Sequence, residues 1–493
     1  MTKDFELAGY PIDLEQIPVD WKVCPLSMLI VDVVSGSAAG QSMQRSSGVP
    51  HMRPMNITVN GRLDFGDVRF IDPSAVKRNL RPGDVLFNNT NSPALVGKSA
   101  LLDVDAELAF SNHMTRIRLN EDLMLPAFLA LQLYALQRMG YFETHCRKHV
   151  NQASVSADFL LTRVPLVVPA IPDQSSVVSL LESARDMLDR AAAKVNDAQT
   201  HISSAQSALI DELFRGGLGV SRESDDGTVD LMLAELSVAH RDAYVRRQLG
   251  RDEVRLGREL TDKEMDILSL KHIRKYAPPV GLESTGVLPA LPAGWRWASA
   301  AQVVTPGSDI VYGIVQPGTN LRDGVPYVRG VDIQSGQVRT DNLLRTDPAI
   351  AARYARSSLI AGDVLLGIIR ATKVAVVPEV LEGANITQGT ARLRPSNCIS
   401  SDYLATWLRS EFAQSWLHAH YRGIDMPGLN LADVRRLPVP VAPLDDQARL
   451  TQLSNTIGFH LSTARQRAAA ARDSLRSAEE SLLLQTFNGV LAH

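Results

Sequence analysis

Cysteine is almost missing: Cys24, Cys146 and Cys398 are the only three in 493 residues. They lie far apart and form no C-x-x-C, which excludes a disulfide framework and a cysteine-built zinc site and fits a reducing cytoplasm. Aromatic residues make up 5%, too few for stacking platforms to dominate binding. Neither sign of charge is in large excess. Lys and Arg number 51 against 54 Asp and Glu, a formal net charge of −3. That excludes coating nucleic acid by bulk charge, but not a local basic face. No uninterrupted apolar run of about 18 residues occurs, so no membrane span is expected. The opening residues, MTKDFELAGYPIDLEQ, carry no signal-peptide pattern. What is present is ordinary globular composition, 45% hydrophobic and 21% charged, in a chain long enough for two to four domains of roughly 100–200 residues.

The chain repeats itself. "IPVDWKV" at Ile17–Val23 returns as "LPAGWRW" at Leu291–Trp297, an offset of 274. "LRPGDVLF" at Leu80–Phe87 returns as "LIAGDVLL" at Leu359–Leu366, an offset of 279. "RVPLVVPAIPDQ" at Arg163–Gln174 returns as "RLPVPVAPLDDQ" at Arg436–Gln447, and "LFRGG" at Leu213–Gly217 echoes "TFNGV" at Thr486–Val490, both at 273. A constant offset from Pro165/Pro438 to Phe214/Phe487 is what two copies of one module give. Each module reads as a mixed region of short strands and turns with one helical patch, Leu125–Leu136 or Tyr403–Trp416, followed by a long helix.

In the first long helix Val177, Leu181, Ala184, Leu188, Ala191, Val195, Ala198, Ile202, Ala205 and Leu209 step by four and three. This is a heptad seam with Ala at one core position. Adding 273 gives Leu450, Ser454, Ile457, Leu461, Ala464, Ala468, Ala471, Leu475, Ala478 and Leu482. Matching seams predict that the two helices pair, as a rod of roughly 60 Å. Parallel pairing would set the two mixed domains side by side at one end; antiparallel pairing would bring Ala191 close to Ala464 and make the mixed domains two similar reading heads, suited to a ligand with a twofold backbone such as duplex DNA. Between the modules lie Asp230–Leu249 and a second helix capped by TDKE at Thr261–Glu264.

Motifs for chemistry are missing. Gly97–Ser99 reads GKS, but Ser92 stands where a Walker A loop needs its first Gly. Asn91-Ser92-Pro93-Ala94 lacks the second Pro and the aromatic of an adenine methyltransferase motif, and no G-x-G loop follows a strand. No Glu is followed two places on by Lys, as a nuclease pair would require. His418 and His420 stand two apart on a helix end and face different sides.

What remains are polar loops in equivalent places. The first module carries Asn88, Asn89, Thr90, Asn91 and Ser92 after GDVLF, then Lys98. The second carries Arg370, Thr372 and Lys373 after GDVLLGII. Next come Ser111, Asn112, His113 and Arg116 against Thr387, Gln388 and Arg392, then Arg147, Lys148 and His149 against Arg422. Amides bond adenine edges, Arg bonds guanine, and Lys or Arg anchors phosphates. Frameworks that match while loops diverge are expected of one scaffold reading two sequences, and also of loops that merely tolerate change.

The duplicated Trp21 and Trp295, "PYVRGVDIQSG" at Pro326–Gly336, "LIAGDVLLGIIR" at Leu359–Arg370, "ANITQGTARLRP" at Ala384–Pro395, "LPVPVAPLDDQARL" at Leu437–Leu450 and the twin helices together carry a resemblance. Over nearly its whole length the chain resembles the specificity subunit of type I restriction-modification systems. Its first module departs, with "FSNHMTRIRLN" at Phe110–Asn120 in place of the N-I-x-Q-G pattern kept at Asn385–Gly389.

The resemblance implies an α+β fold: two mixed α/β target-recognition domains separated by two long antiparallel coiled-coil helices, as a pseudo-twofold internal repeat. The expected boundaries are 14–173 and 288–446 for the domains, 174–217 and 447–489 for the helices, and 218–287 for a charged helical linker, longer than such subunits usually need. It further implies a non-catalytic subunit that reads a bipartite double-stranded DNA target, one domain per half-site. Two modification subunits, which carry S-adenosylmethionine and methylate adenine, would dock on it, joined by restriction subunits; no cofactor is expected in this chain and no metal site. The residues assigned to DNA are Asn88, Asn89, Asn91, Lys98, His113 and Lys148 in the first domain, and Arg329, Arg370, Lys373, Gln388 and Arg422 in the second. Two other readings stay open: a nuclease-like enzyme with an unrecognised site, and a structural coiled-coil adaptor.

Overall fold

The computed structural model describes residues 5–38, 44–76, 79–150, 152–217, 226–282, 288–423 and 425–489. The chain divides into two units, Met1–Ala198 with Arg467–His493, and Gln199–Gln466. Each long helix contributes one part to each unit.

In the first unit a four-stranded antiparallel sheet runs in the order Ile30–Ser35, Met114–Leu119, Val85–Asn88, Ser99–Leu101. In the second, Val311–Tyr312, Thr390–Leu393, Val364–Gly367 and Val374–Val376 follow the same order and directions. A smaller sheet beside each contains one parallel pairing, Val49–Met52 with Ala109–Phe110, and Val325–Val328 with Asn385–Ile386. A two-stranded ribbon leads into each long helix: Lys22–Pro25 with Pro165–Val168, and Arg296–Ser299 with Pro438–Val441.

The apolar runs after each Gly-Asp explain the central strands. Successive side chains of a strand point to opposite faces, so an unbroken apolar run marks a strand covered on both. Val85 and Phe87 enter the core that holds Phe128 and Leu133, while Leu86 enters a second core with Met52, Ile57 and Met114. Val364 and Leu366 likewise pack with Trp295 and Tyr403, and Leu365 with Val328 and Ile386.

The long helices run Ile171–Phe214 and Leu444–Phe487, 44 residues each. Both begin three residues before the expected boundary; in the first, Pro172 is accommodated because a first turn needs no N–H there. In the first unit Val177 and Leu181, near the start of one helix, share a core with Leu483 and Phe487 at the end of the other. In the second unit Ile210 and Phe214, at the end of the first helix, share a core with Leu450 at the start of the second. The segments are therefore antiparallel within each unit. Arg472 donates to Asn196 at 3.5 Å, and Arg465 to Gln206 at 2.7 Å.

That register corrects one expectation. In this antiparallel arrangement the stretch before Asn196, with Ala191, runs against residues that follow Arg472, and the expected partner Ala464 belongs to the other unit. The seam also shifts. Ala205 is exposed, whereas Ile202, Gln206 and Leu209 are half-buried, because a 3.6-residue turn drifts against a strict 3.5-residue repeat.

Two helical patches are refined. Leu125–Leu136 forms one helix, Pro126–Arg138. Tyr403–Trp416 is broken into Ser401–Leu408 and Glu411–Ala419, where Ser410 accepts the Ala413 N–H and starts the second helix. The linker forms an antiparallel hairpin of two helices, Thr228–Leu256 and Asp262–Lys275. Thr261 and Glu264 close the expected capping box. Linker residues 218–225 and 283–287 lie outside the described residues.

Candidate nucleic-acid interface

In each unit the central strand ends in a cluster of polar loops. In the second unit that strand ends at Gly367, whose N–H donates to Lys373 at 2.7 Å and so closes a tight hairpin. Ile368 donates to Gly389 at 3.0 Å, Arg370 to Pro427 at 2.8 Å and Leu429 to Ile368 at 2.8 Å. Gln388 donates to Ile314 at 3.0 Å, and Thr387 to Val328 at 3.1 Å. These backbone bonds gather Arg329, Arg370, Lys373, Gln388 and Arg422, far apart in sequence, at one end of the sheet. Gly313 is required here, because a Cβ would stand 1.9 Å from the Ile386 carbonyl oxygen.

The five side chains are differently placed. Arg370 is exposed in the left-handed region at φ +65°, with Nη2 3.4 Å from Met426 Sδ. Lys373 and Gln388 are exposed. Arg422 is exposed but bonded to the buried Asp433 at 3.1 Å. Arg329 holds buried Asp332 through Nε at 2.9 Å and Nη2 at 3.0 Å, which raises its pKa further. Its guanidinium is committed to shaping the Gly330–Asp332 turn.

In the first unit Asn89 donates its N–H to His113 at 3.1 Å and accepts from Val155 at 2.9 Å, joining three loops. A three-stranded sheet places Lys148 beside Ala153 and Ala153 beside Asn91. Opposed residues of a ladder share a face, so Asn91 and Lys148 flank one side of it. Lys148 is exposed and His113 is half-buried.

Burial sets two of the assigned residues apart. Lys98 is 6% exposed, and its ammonium donates to the carbonyls of Pro54, at 3.0 Å, and Ile57; desolvation lowers its pKa. It ties a loop to the sheet. Asn88 is wholly buried and donates to Leu95 at 3.2 Å. Asn89 spends its side chain on Thr115 at 2.9 Å and on the Thr90 hydroxyl at 2.7 Å. A cluster of amides after a strand looks the same in sequence whether it faces a ligand or closes a turn.

Among the described residues no three His, Cys, Asp or Glu side chains are grouped to hold a metal ion, and no helix is long and apolar enough to cross a membrane.

Two sheets of like topology, each ending in its own polar loops and each packed on antiparallel segments of two long helices, define an α+β protein built from two similar units. No protein-family model matches the chain. It is 25% identical over 234 residues to the type I restriction enzyme EcoBI specificity subunit of Escherichia coli, covering 47% of each chain. It is 22% identical over 211 residues to the putative type I restriction enzyme MjaX specificity subunit of Methanocaldococcus jannaschii, covering 42% of this chain and 48% of that one. The chain thus matches about half the length of these curated relatives. A chain from a structural study of complex assembly and conformational transition in the type I restriction-modification system superposes with a TM-score of 0.65. That likeness covers 96% of this chain and 99% of the other at 16% identity, and shows a shared fold. Over the matched stretches the chain is similar in sequence to type I restriction enzyme specificity subunits.

Proposed function

We propose that this chain is the DNA-reading subunit of a type I restriction-modification complex. Each loop cluster reads one half of a bipartite double-stranded target. The carrying observation is that the central strand ends in a polar cluster in both units, on the same strand order, with Asn91, His113 and Lys148 at one and Arg370, Lys373 and Gln388 at the other. One scaffold bearing two sets of recognition side chains suits two different half-sites.

In this reading the chain is not itself an enzyme. Two modification subunits dock along the long helices, bind S-adenosylmethionine and methylate adenine within the target; restriction subunits join that assembly. The test is adenine-methylation mapping of DNA from cells that carry the chain with its modification partner. A two-part motif with an unread spacer is expected, and no methyl transfer or cleavage from the chain purified alone. Methyl incorporation or cleavage by the rigorously purified single chain, or methylation of a single uninterrupted motif, overturns the reading.

A further inference from the structure

The linker hairpin is not explained by target reading. Its helices pair through His272 and Asp252 at 2.8 Å and through the rings of Tyr244 and Tyr276, 5.5 Å apart. It is docked on the second domain. His240 bonds the Gln302 carbonyl at 3.3 Å, Arg247 donates to Gly307 at 2.7 Å, and Val229 and Leu236 enter the domain core.

The charge of this hairpin is concentrated. In residues 246–255 and 271–275, which these pairings set side by side, Arg246, Arg247, Arg251, Arg255, Lys271, Arg274 and Lys275 stand against Asp252 and Glu253. Asp252 is already bonded to His272 and Arg255. All seven cations are exposed, in a chain whose formal net charge is −3. Arg255 is offset by Asp252 and Arg247 by Asp309, but crowding Arg246, Arg251, Lys271, Arg274 and Lys275 beside them costs repulsion that an anionic partner relieves. A row of phosphates, one negative charge per about 1.7 Å of duplex, is such a partner.

The position fits. The hairpin grips Gly307, and Asp309 pairs with Arg247 at 3.7 Å. Ile314, which holds Gln388 in the reading cluster, follows five residues after Asp309. Five residues reach at most about 18 Å, so the hairpin contact lies within about half a turn of duplex, roughly 17 Å, of that cluster residue.

We infer that the basic stretch of the linker hairpin is a sequence-independent clamp on the DNA backbone beside the second half-site. This rests on the DNA-reading function proposed above, but it adds a site outside the reading loops. The cations act through phosphates, so they add affinity without adding sequence preference.

The test replaces Arg246, Arg251, Arg274 and Lys275 by Gln in the full chain, assembled with its modification partner. Affinity is measured on target-bearing and target-free duplexes across a salt series. Both affinities are expected to fall by the same factor, the slope of log K against log salt to become shallower by about 3, and the methylated sequence to stay the same. An unchanged slope overturns the clamp, as does a defect confined to subunit assembly, which would make the hairpin a protein-docking element. Should the fourfold variant fold poorly, Arg251→Glu alone provides the same readout with a larger change per site. If the wild-type complex shows no preference for any duplex, it is the DNA-reading function that fails. If preference is intact and only the salt slope is indifferent to the hairpin, the clamp alone fails.

Discussion

Arg118 closes on Asp84 with two parallel hydrogen bonds, Nε to Oδ1 at 2.7 Å and Nη2 to Oδ2 at 2.8 Å. In the other unit Arg394 holds Asp363 with the same atoms at the same distances. Both carboxylates are fully buried, and each also accepts a backbone N–H three residues earlier, from Arg81 and Ile360. The repeated Gly-Asp is thus the anchor that turns the chain into the central strand, at the end away from the loop cluster. Arg118→Met leaves a buried carboxylate without its cation and should destabilise the first unit by about 3 kcal/mol. Asp84→Asn combined with Arg118→Met should cost less than Arg118→Met alone, read by urea unfolding. Equal costs would show that the charge itself is not what the pair satisfies.

Gln174 and Gln447 perform one task in two units. Gln447 Nε2 donates to Cys398 and Ala442, both at 2.8 Å, and Oε1 accepts from Ser400 at 2.8 Å. Gln174 makes the equivalent bonds to Leu123, Pro169 and Leu125. Each fastens the start of a long helix to the loop before the domain's helical patch. Gln447→Leu strands these buried backbone groups and should cost about 2–4 kcal/mol. It should also speed exchange of the Ser400 amide more than that of amides in the central sheet. Uniform acceleration across the second unit would contradict a local clamp.

These two relationships show what was legible in the sequence. "GDV" and "DDQ"/"PDQ" recur because each copy must build the same turn and the same helix start, so the repeat revealed the fold. The pattern of Val85–Phe87 and of Val364–Leu366 revealed strands covered on both faces. The site was less legible. Asn88 belongs to the same polar run as Asn91 and Lys98 follows it closely, and only burial separates them: two of the three complete the fold from inside. Register was not legible either. Matching seams fix that two helices pair, but an Ala-rich seam leaves their stagger to the end contacts, such as Phe128 with Phe487 and Tyr403 with Phe214. The basic stretch of the linker was visible as Arg246, Arg247, Arg251 and Arg255, but its meeting with Lys271, Arg274 and Lys275 depends on the hairpin.

The hairpin also carries a pH signature. Glu264 accepts from Arg258 at 2.6 and 2.9 Å and from the Thr261 N–H at 2.9 Å. The Arg258 bonds, then the Thr261 bonds, pull its pKa from 4.5 to about 2. A carboxyl depressed in the folded state stabilises above its unfolded pKa and loses that contribution as pH falls through the folded value. The start of the second linker helix should therefore hold from neutral pH to below 4.5 and loosen towards pH 2. Carboxyl carbon shifts of labelled Glu264 should show a midpoint near 2, and Glu264→Gln should remove the pH dependence of amide protection at that helix start. A midpoint at the ordinary value of 4.5 would mean that the Arg258 pair is not formed in solution.

The division of specificity is the sharpest consequence of two loop clusters on two sheets. Arg370→Gly removes a guanidinium while keeping a residue at ease at φ +65°, and Lys373→Ala removes an exposed ammonium at the same tip. Both should weaken or relax only the second half of the target. Asn91→Ala and Lys148→Ala, neighbours across Ala153, should affect only the first. A lost bidentate base contact should cost about 1–3 kcal/mol and relax one position, whereas a lost phosphate contact should weaken all sequences evenly. Lys98→Ala should behave differently from both, lowering stability by unbinding the Pro54 and Ile57 carbonyls without redirecting methylation. At domain level, residues 14–165 can be exchanged for the matching segment of a relative with another target, and methylation mapped. Only the first half of the motif should change. If both halves change together, or neither does, two independent readers are not what this chain contains.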